Sequence, residues 1–147
     1  YKYSHPMGLT FLDKEGKEKE VYMGSYGIGL TRCLATIVEV HYNIDKNMMV
    51  WPENVAPFKV HLLSLRQDET AEKIYKLLLE KNIEVLFDDR ELSAGEKFAE
   101  ADLIGSPIRI IVSEKTVKEE SVELIEVSSG KCRLVKINQL LKEIADL

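Results

Sequence analysis

The feature that most constrains this fold is an alternation of strand-like and helix-like segments that begins after Pro57. Residues 59–65 read K-V-H-L-L-S-L, a short apolar run typical of a buried strand. Residues 68–81 then place apolar side chains at helical spacing, with Asp68 as the predicted N-cap. Further strands are predicted at 83–87 and 108–112, and a further helix at 93–103. Because each helix returns the chain to the edge where its strand began, the alternation favours a parallel sheet.

The last part of the chain adds an antiparallel portion to this sheet. Two weaker strands, 122–127 and 132–137, flank the turn Ser128-Ser129-Gly130, and a last helix is predicted over 138–147. The sequence therefore predicts an α/β fold whose C-terminal part is a mixed five-stranded sheet with three helices. That part is long enough to bury a core of its own.

The first part of the chain has a different pattern. An extended segment and strand over 3–12, a polar turn over 13–17 and a return strand at 21–23 predict a hairpin. Apolar residues near helical spacing predict a helix over 30–42. We therefore expect a hairpin, a glycine-rich corner and a helix in this order.

Two prolines separate the two patterns. They lie in W-P-E-N-V-A-P, where they oppose a regular helix and favour an extended connection over 48–57. We predict one unit over residues 1–52, a linker over 53–57 and a second unit over 58–147.

Three glycines lie close together in M-G-S-Y-G-I-G-L-T-R, residues 23–32. The P-loop template fails because Leu30 stands where lysine is required, and the dinucleotide template fails because Arg32 replaces the third glycine. What remains is a strand through Gly27 and Gly29 that admits a flat ligand, followed by a helix whose Arg32 clamps a phosphate. Spacing alone leaves open that the glycines only permit tight packing and that Arg32 is a surface residue.

Charge and hydropathy exclude some function classes. The chain has 20 Lys and Arg against 25 Asp and Glu, a net charge of −5, which is unlike a non-specific nucleic-acid binder. Any contact with nucleic acid must come from a local patch or from base-specific polar groups. No apolar run approaches the ~18 residues of a membrane helix, so we expect no membrane association.

The thiols and imidazoles give no catalytic or metal-binding pattern. Cys33 and Cys132 lack a second ligand at zinc-binding spacing, so we expect reduced thiols and no metal site. Each of His5, His41 and His61 stands alone, and we interpret all three as structural residues rather than general bases.

Three motifs in order give a family resemblance. The stretch G-S-Y-G-I-G-L-T-R resembles motif 3 of the class II aminoacyl-tRNA synthetases, in the form found in the prolyl-tRNA synthetase family. The stretch W-P-E-N-V-A-P-F-K-V-H is similar to that family's junction with its anticodon-binding domain. Residues 88–107, D-D-R-E-L-S-A-G-E-K-F-A-E-A-D-L-I-G-S-P, resemble the matching stretch of that second domain. The resemblance covers essentially the whole chain and points to the bacterial type.

The resemblance implies a cytoplasmic enzyme that catalyses a reaction in two steps. The family activates proline with ATP and Mg²⁺ to prolyl-adenylate and transfers the prolyl group to tRNA(Pro), as a homodimer. Motifs 1 and 2 of the family have no counterpart in these residues. We therefore expect the chain to be a fragment that is inactive alone, binds no cofactor tightly and mainly recognises the anticodon.

The resemblance also implies roles for single residues. Arg32 matches the motif 3 arginine that grips the ATP triphosphate, and it is the one catalytic residue expected here. Gly27 and Gly29 match the floor under the adenine and the aminoacyl pocket, and Ser25 lies near the amino-acid site.

In the second unit five residues match the region that reads the anticodon. They are Asp88, Arg90, Lys97, Phe98 and Asp102. Arginine and lysine serve guanine acceptors, while a carboxylate accepts from guanine's donors. The residues alone leave open that Asp88 and Arg90 form a structural ion pair and that Phe98 is a core aromatic.

Two other function classes remain open. Domains of this second type also serve as binding modules for nucleic acid or protein. The threonyl, histidyl and glycyl synthetases share the architecture. The combination of W-P-x-x-x-A-P with residues 88–107 favours the prolyl family over all of these.

Overall fold

The computed structural model describes all 147 residues, which divide into two compact units, Tyr1–Cys33 and Leu34–Leu147. In the first unit, strands β1 (Thr10–Leu12) and β2 (Glu18–Glu20) form the predicted antiparallel hairpin. The Asp13 carboxylate closes its turn by accepting from the backbone N–H groups of Glu15 and Lys17, at 2.9 and 3.0 Å.

Three predictions for this unit were wrong in detail. Residues 3–12 are not wholly extended, because helix α1 (Ser4–Met7) precedes β1. The return strand is Glu18–Glu20 rather than 21–23, and residues 21–29 form no strand through Gly27 and Gly29. A strand needs a partner along its edge, and the partner β1 begins at Thr10, opposite Glu20.

Helix α2 (Leu30–His41) confirms the predicted helix to within one residue. The extended connection predicted over 48–57 is interrupted by two short elements, strand β4 (Met48–Met49) and a single 3₁₀ turn at Glu53–Val55. Strand β3 (Tyr42–Asn43), which precedes this connection, pairs with β4.

The second unit contains the predicted mixed sheet. Its strands are β5 (Val60–Ser64), β6 (Val85–Asp88), β7 (Ile108–Val112), β8 (Ser121–Glu126) and β9 (Lys131–Lys136). Their order is β6-β5-β7-β8-β9, with β6, β5 and β7 parallel and with β8 and β9 antiparallel to their neighbours. The predicted α/β architecture is confirmed.

Four helices accompany the sheet, one more than predicted. They are α3 (Asp68–Leu79), α4 (Ala94–Ile104), α5 (Glu114–Lys118) and α6 (Leu140–Ala145), with a 3₁₀ turn at Ile137–Gln139 before α6. The additional helix α5 has five residues, too few to show an apolar periodicity. Asp68 is not the cap of α3, because Gln67 occupies that position and Asp68 is the first helical residue.

The two faces of the sheet bury different groups. Val60 and Leu62 of β5 join the larger core with residues of α3 and α6, while Leu63 packs with Ala101 of α4 and with Ile111. All five residues of β5 and all five of β7 are buried, as expected of central strands covered on both sides. The longest helices have twelve residues, and none has the length and apolar character needed to cross a bilayer.

Gly105 ends α4 at a position that tolerates no side chain. Its φ of +69° lies in the left-handed region, and a Cβ built there would approach the carbonyl oxygen of Met49 to 2.2 Å. The Gly105 carbonyl also accepts from the backbone N–H of Trp51 at 3.0 Å. Gly105 therefore lets the segment around Met49 lie directly against the end of α4.

We predict that Gly105→Ala lowers the free energy of unfolding by about 3 kcal/mol, because strain at positive φ adds to a clash with backbone atoms. Gly130→Ala is the matched control, since Gly130 has a φ of +71° but open space around it. The control should cost about 1 kcal/mol. Urea unfolding measures both values, and equal losses would show that the contact with Met49 contributes nothing.

Candidate functional site

The carboxyl ends of three parallel strands meet at one edge of the sheet. Strand β5 is the middle strand, and the chain leaves it on one side for β6 and crosses to the other side for β7. In open α/β sheets, ligands bind at such a switch point, outside the carboxyl ends of the strands. A cleft of about 530 Å³ lies at this edge, bordered by the segments that follow β5 and β6 and by Lys97 of α4.

Asp88 ends β6 and anchors an ion-pair network. Its side chain is buried and accepts two hydrogen bonds from Arg90, from Nε at 2.9 Å and from Nη2 at 2.8 Å. Arg90 Nη2 also donates to Glu100 of α4 at 2.6 Å. The hydrogen bonds from Arg90 lower the pKa of the Asp88 carboxyl to about 2, so Asp88 is ionised at neutral pH.

Lys97 joins the ends of two strands from inside the protein. It is only 2% exposed, and its Nζ donates to the carbonyl oxygens of Ser64 at 2.7 Å and of Asp88 at 3.0 Å. The same ammonium lies 3.7 Å from the Asp88 carboxylate. These contacts leave little of Lys97 accessible to a ligand in the cleft.

Helix α4 holds Lys97 in place because both of its ends are capped. The Ser93 hydroxyl accepts from the Glu96 N–H and the Glu96 carboxylate accepts from the Ser93 N–H, which is a capping box. Gly105 closes the other end in the left-handed conformation.

Phe98 and Asp102 lie on α4 but do not line the cleft. Phe98 is half-buried against Leu63 and Ala101, and the Asp102 carboxylate accepts from Arg109 Nη2 at 2.6 Å. The structure thus brings Asp88, Arg90 and Lys97 together, and it places Phe98 and Asp102 further along the same helix. Both structural alternatives that the residues left open, an Asp88–Arg90 ion pair and a packed Phe98, are present in the fold.

Most residues that border the cleft were not predicted from the sequence, and two of them are charged residues near the strand ends. Arg66 follows β5 and Asp89 follows β6, and both are exposed. Each is a charged residue one or two positions beyond the end of a parallel strand. That position is the one signal in the sequence by which they could have been found.

The site residues predicted in the first unit are all exposed to solvent. Ser25, Gly27 and Gly29 belong to the irregular segment 21–29, and Arg32 lies in the first turn of α2. A Cβ added to Gly27 would meet no atom within 4 Å, so this glycine borders open space. The chain contains no group of three or more His, Cys, Asp or Glu side chains that could hold a metal ion.

His61 is a buried imidazole in the middle of β5. It is 2% exposed, pairs in register with Arg109 of β7, and its Nδ1 has no hydrogen-bond partner. Burial, followed by the positive charge of Arg109, lowers the pKa of His61 from 6.5 to about 4. The ring is therefore neutral at physiological pH and fits the structural role predicted for it.

Comparisons with known proteins identify the domain that contains the cleft. Residues 54–147 match the family described as "Anticodon binding domain". The chain is 47% identical over 144 residues to a proline-tRNA ligase of Persephonella marina, covering 95% of this chain and 25% of the relative. Proline-tRNA ligases of Sulfurihydrogenibium sp. and Bacillus mycoides are each 44% identical, over 99% of this chain and 26% of their own length. The chain thus spans about a quarter of the length of the curated relatives it matches.

We predict that stability falls when the pH is lowered from 7 to 5, because unfolded chains protonate His61 near pH 6.5 while the folded protein resists protonation until about pH 4. The expected loss from this residue is about 2 kcal/mol. Urea unfolding at the two pH values measures it, with His61→Gln as the comparison. An equally steep loss in the variant would assign the pH dependence to other groups.

We also predict that Lys97→Met lowers the free energy of unfolding by about 3 kcal/mol, because the Asp88 carboxylate and two carbonyl oxygens lose a buried donor. Lys73→Met, on the exposed surface of α3, should change stability by less than about 0.5 kcal/mol. If the two variants unfold at the same urea concentration, Lys97 has no structural role.

Proposed function

The chain belongs to the anticodon-binding domain family, and from this premise we propose that it is the part of a proline-tRNA ligase that binds the anticodon of tRNA(Pro). The observation that carries the proposal is the position of the cleft. It lies inside the matched residues 54–147, at the edge of the sheet where α/β folds bind ligands. The names of the relatives favour the prolyl enzyme over the threonyl, histidyl and glycyl enzymes.

The chemistry of the cleft suits an unpaired RNA loop. Anticodon bases are unstacked, so a protein reads them by hydrogen bonds to their edges and by stacking. The cleft contains both arginine and carboxylate groups, which match the acceptors and donors of guanine. Recognition of this kind needs no broadly basic surface, which explains how a chain of net charge −5 would bind RNA.

The five predicted anticodon residues divide into two roles in this proposal. Arg90 is the cation of the network with an exposed side chain, at 49%, and we assign it to direct contact with RNA. Asp88 and Lys97 hold Arg90 and the two strand ends in position. Phe98 and Asp102 fix α4 against the sheet, and their exposed portions border the approach of the RNA.

The first unit is proposed to form one wall of an ATP and aminoacyl site. Arg32 carries a positive charge at the start of α2 and would contact the triphosphate, with Ser25, Gly27 and Gly29 beside it. Bound Mg²⁺ would neutralise phosphate charge during attack by the proline carboxylate. The donor set of this chain fits a single phosphate contact and lacks a cluster of metal ligands, so the ion would be held by residues outside this chain.

Exposed apolar side chains support this view of the N-terminal region. Helix α2 has no buried residue, although its apolar side chains recur at helical spacing, and Leu30 and Leu34 are 80% and 53% exposed. Ile28, just before the helix, is 82% exposed. Several large apolar side chains exposed so close together in the sequence are typical of a protein interface. We propose that these side chains pack against the remaining three quarters of the ligase, without which the chain is inactive.

The remaining parts of the proposal concern the whole enzyme. We place residues 1–52 in its catalytic domain, 53–57 in a linker and 58–147 in its anticodon-binding domain. The enzyme would act in the cytoplasm as a homodimer on proline, ATP and tRNA(Pro).

We predict that the chain binds an RNA stem-loop with a proline anticodon at least about tenfold more tightly than one in which both anticodon guanines are replaced by adenine. The measurement is fluorescence anisotropy with labelled RNA at a fixed, stated salt concentration, because RNA affinity depends strongly on salt. A stem-loop with an unrelated anticodon is the second control. Equal affinities for all three RNAs would contradict the proposal and leave a structural domain.

A further inference from the structure

We infer that the second unit carries a docking pocket for the part of the ligase that lies outside this chain, an inference that rests on the proposed membership of the chain in a proline-tRNA ligase. The pocket has a volume of about 250 Å³ and is lined by Ile108, where β7 begins, and by Glu126, where β8 ends. The cleft lies beyond the carboxyl ends of the parallel strands, so the pocket lies at the opposite edge of the sheet. Strands of five residues separate the two edges by ~16 Å.

Apolar residues line most of this pocket, and the largest of them is Trp51. Val50, Pro52, Pro107 and Ile108 line it as well. Trp51 is the one tryptophan of the chain, and it is only half-buried. Its indole N–H makes no hydrogen bond within the chain. A tryptophan with an open apolar surface and a free donor is typical of the residues that dominate the binding energy of protein interfaces.

Backbone hydrogen bonds fix the pocket before anything binds. The Trp51 N–H donates to the Gly105 carbonyl at 3.0 Å, which attaches the connection to the end of α4. The Val127 N–H donates to the Pro107 carbonyl at 2.9 Å, which joins the end of β8 to the start of β7. Docking into a pre-formed pocket costs little free energy for ordering the protein.

An exposed apolar stripe on α2 leads to the pocket. Leu34 and Val38 are exposed, and His41, which lines the pocket, follows them at positions i+7 and i+3. Residues at this spacing share one face of a helix. All three belong to the second unit, as does the whole lining of the pocket. The stripe and the pocket therefore extend the same apolar surface.

The charges at the rim of the pocket oppose the binding of RNA. Glu53 and Glu126 contribute carboxylates to the lining, and no lysine or arginine lines the pocket. Glu53 is paired with Lys59, whereas Glu126 accepts hydrogen bonds from the Ser129 and Ser128 hydroxyl groups. These hydrogen bonds lower the pKa of Glu126, so it is ionised at neutral pH. A phosphate backbone would be repelled there, while an apolar protein side chain would not.

The occupant we assign is an apolar segment of the same ligase polypeptide. The chain spans about a quarter of the length of its relatives, so about three quarters of a ligase remain to pack against it. The pocket has room for one or two side chains, far less than an interface of about 1,600 Å² between separate proteins. A segment of the same polypeptide needs less contact area, because tethering gives an effective concentration of about millimolar.

Hydrogen–deuterium exchange tests the docking directly. Peptides that contain residues 48–53 or 127–130 should exchange at least about tenfold more slowly in the full-length ligase than in the 147-residue chain. Residues 89–92 at the cleft are the internal control, and their exchange should be the same in both proteins.

A matched pair of variants tests whether the pocket itself is the docking site. Ser128 lines the pocket and Ser129 does not, although both are exposed turn residues that donate to Glu126. In the full-length ligase, Ser128→Trp should block the pocket and abolish the slower exchange. It should also lower kcat for aminoacylation of tRNA by about tenfold, because a displaced anticodon domain misplaces the acceptor end of the tRNA. Ser129→Trp should change neither quantity.

Two further readouts separate docking from general damage. Proline-dependent ATP–pyrophosphate exchange needs no tRNA, so both variants should keep it. Binding of the proline anticodon stem-loop to the 147-residue chain should also be the same in both variants, because the cleft lies at the other edge of the sheet.

Several outcomes would overturn the inference. Equal exchange of residues 48–53 and 127–130 in the chain and in the ligase would show that nothing covers the pocket. Slower exchange that appears only with tRNA, or that grows with the concentration of the isolated chain, would identify RNA or a second copy as the occupant. Equal effects of Ser128→Trp and Ser129→Trp would assign the contact to the turn rather than the pocket. A failure of anticodon recognition would be seen separately, in the stem-loop binding of the unmodified chain.

Discussion

The arrangement of the cleft depends on one buried ammonium group. Lys97 projects from α4 beneath the edge of the sheet and donates to carbonyl oxygens at the ends of both β5 and β6. A buried charge is costly unless it is well paired, and here two carbonyls and the Asp88 carboxylate share it. The same contacts position Asp88, which in turn holds the guanidinium of Arg90. Lys97 thus fixes the ends of β5 and β6, from which the segments that border the cleft begin.

This internal network determines which charged side chains can face a ligand. Four of the five residues that the family motif indicates, Asp88, Arg90, Lys97 and Asp102, make ion pairs within the chain, and Phe98 packs on the sheet. Ion pairs of this kind shape a site more than they supply free charge. Arg66 and Asp89 border the cleft and make no such pairs, so their charges are the ones that a ligand in the cleft would meet.

The two units differ in how completely they bury their apolar residues. Central strands β5 and β7 are wholly buried, and α4 is capped at both ends, so the second unit has a consistent core. In the first unit, Tyr26 and Ile28 are 97% and 82% exposed, and α2, whose sequence runs across the boundary between the units, buries none of its residues. That contrast agrees with a chain that spans about a quarter of its relatives' length. A domain with its own core would keep its cleft intact by itself. The N-terminal region would instead be stabilised by packing against a larger protein surface.

The amino-acid sequence by itself determined the α/β alternation, the positions of β5, β7 and α4, and the motifs that indicate the family. These signals are local: apolar periods of two or three to four residues and runs of specific residues. It did not reveal α5, the irregular backbone at Gly27 and Gly29, or which charged side chains are free. Lys97 shows the reason, because one of its acceptors, Ser64, lies 33 positions away and comes within reach only when the parallel strands pair. Whether a charged residue supports the fold or faces a ligand was decided only by the tertiary structure, since burial and pairing depend on neighbours that are distant in the chain.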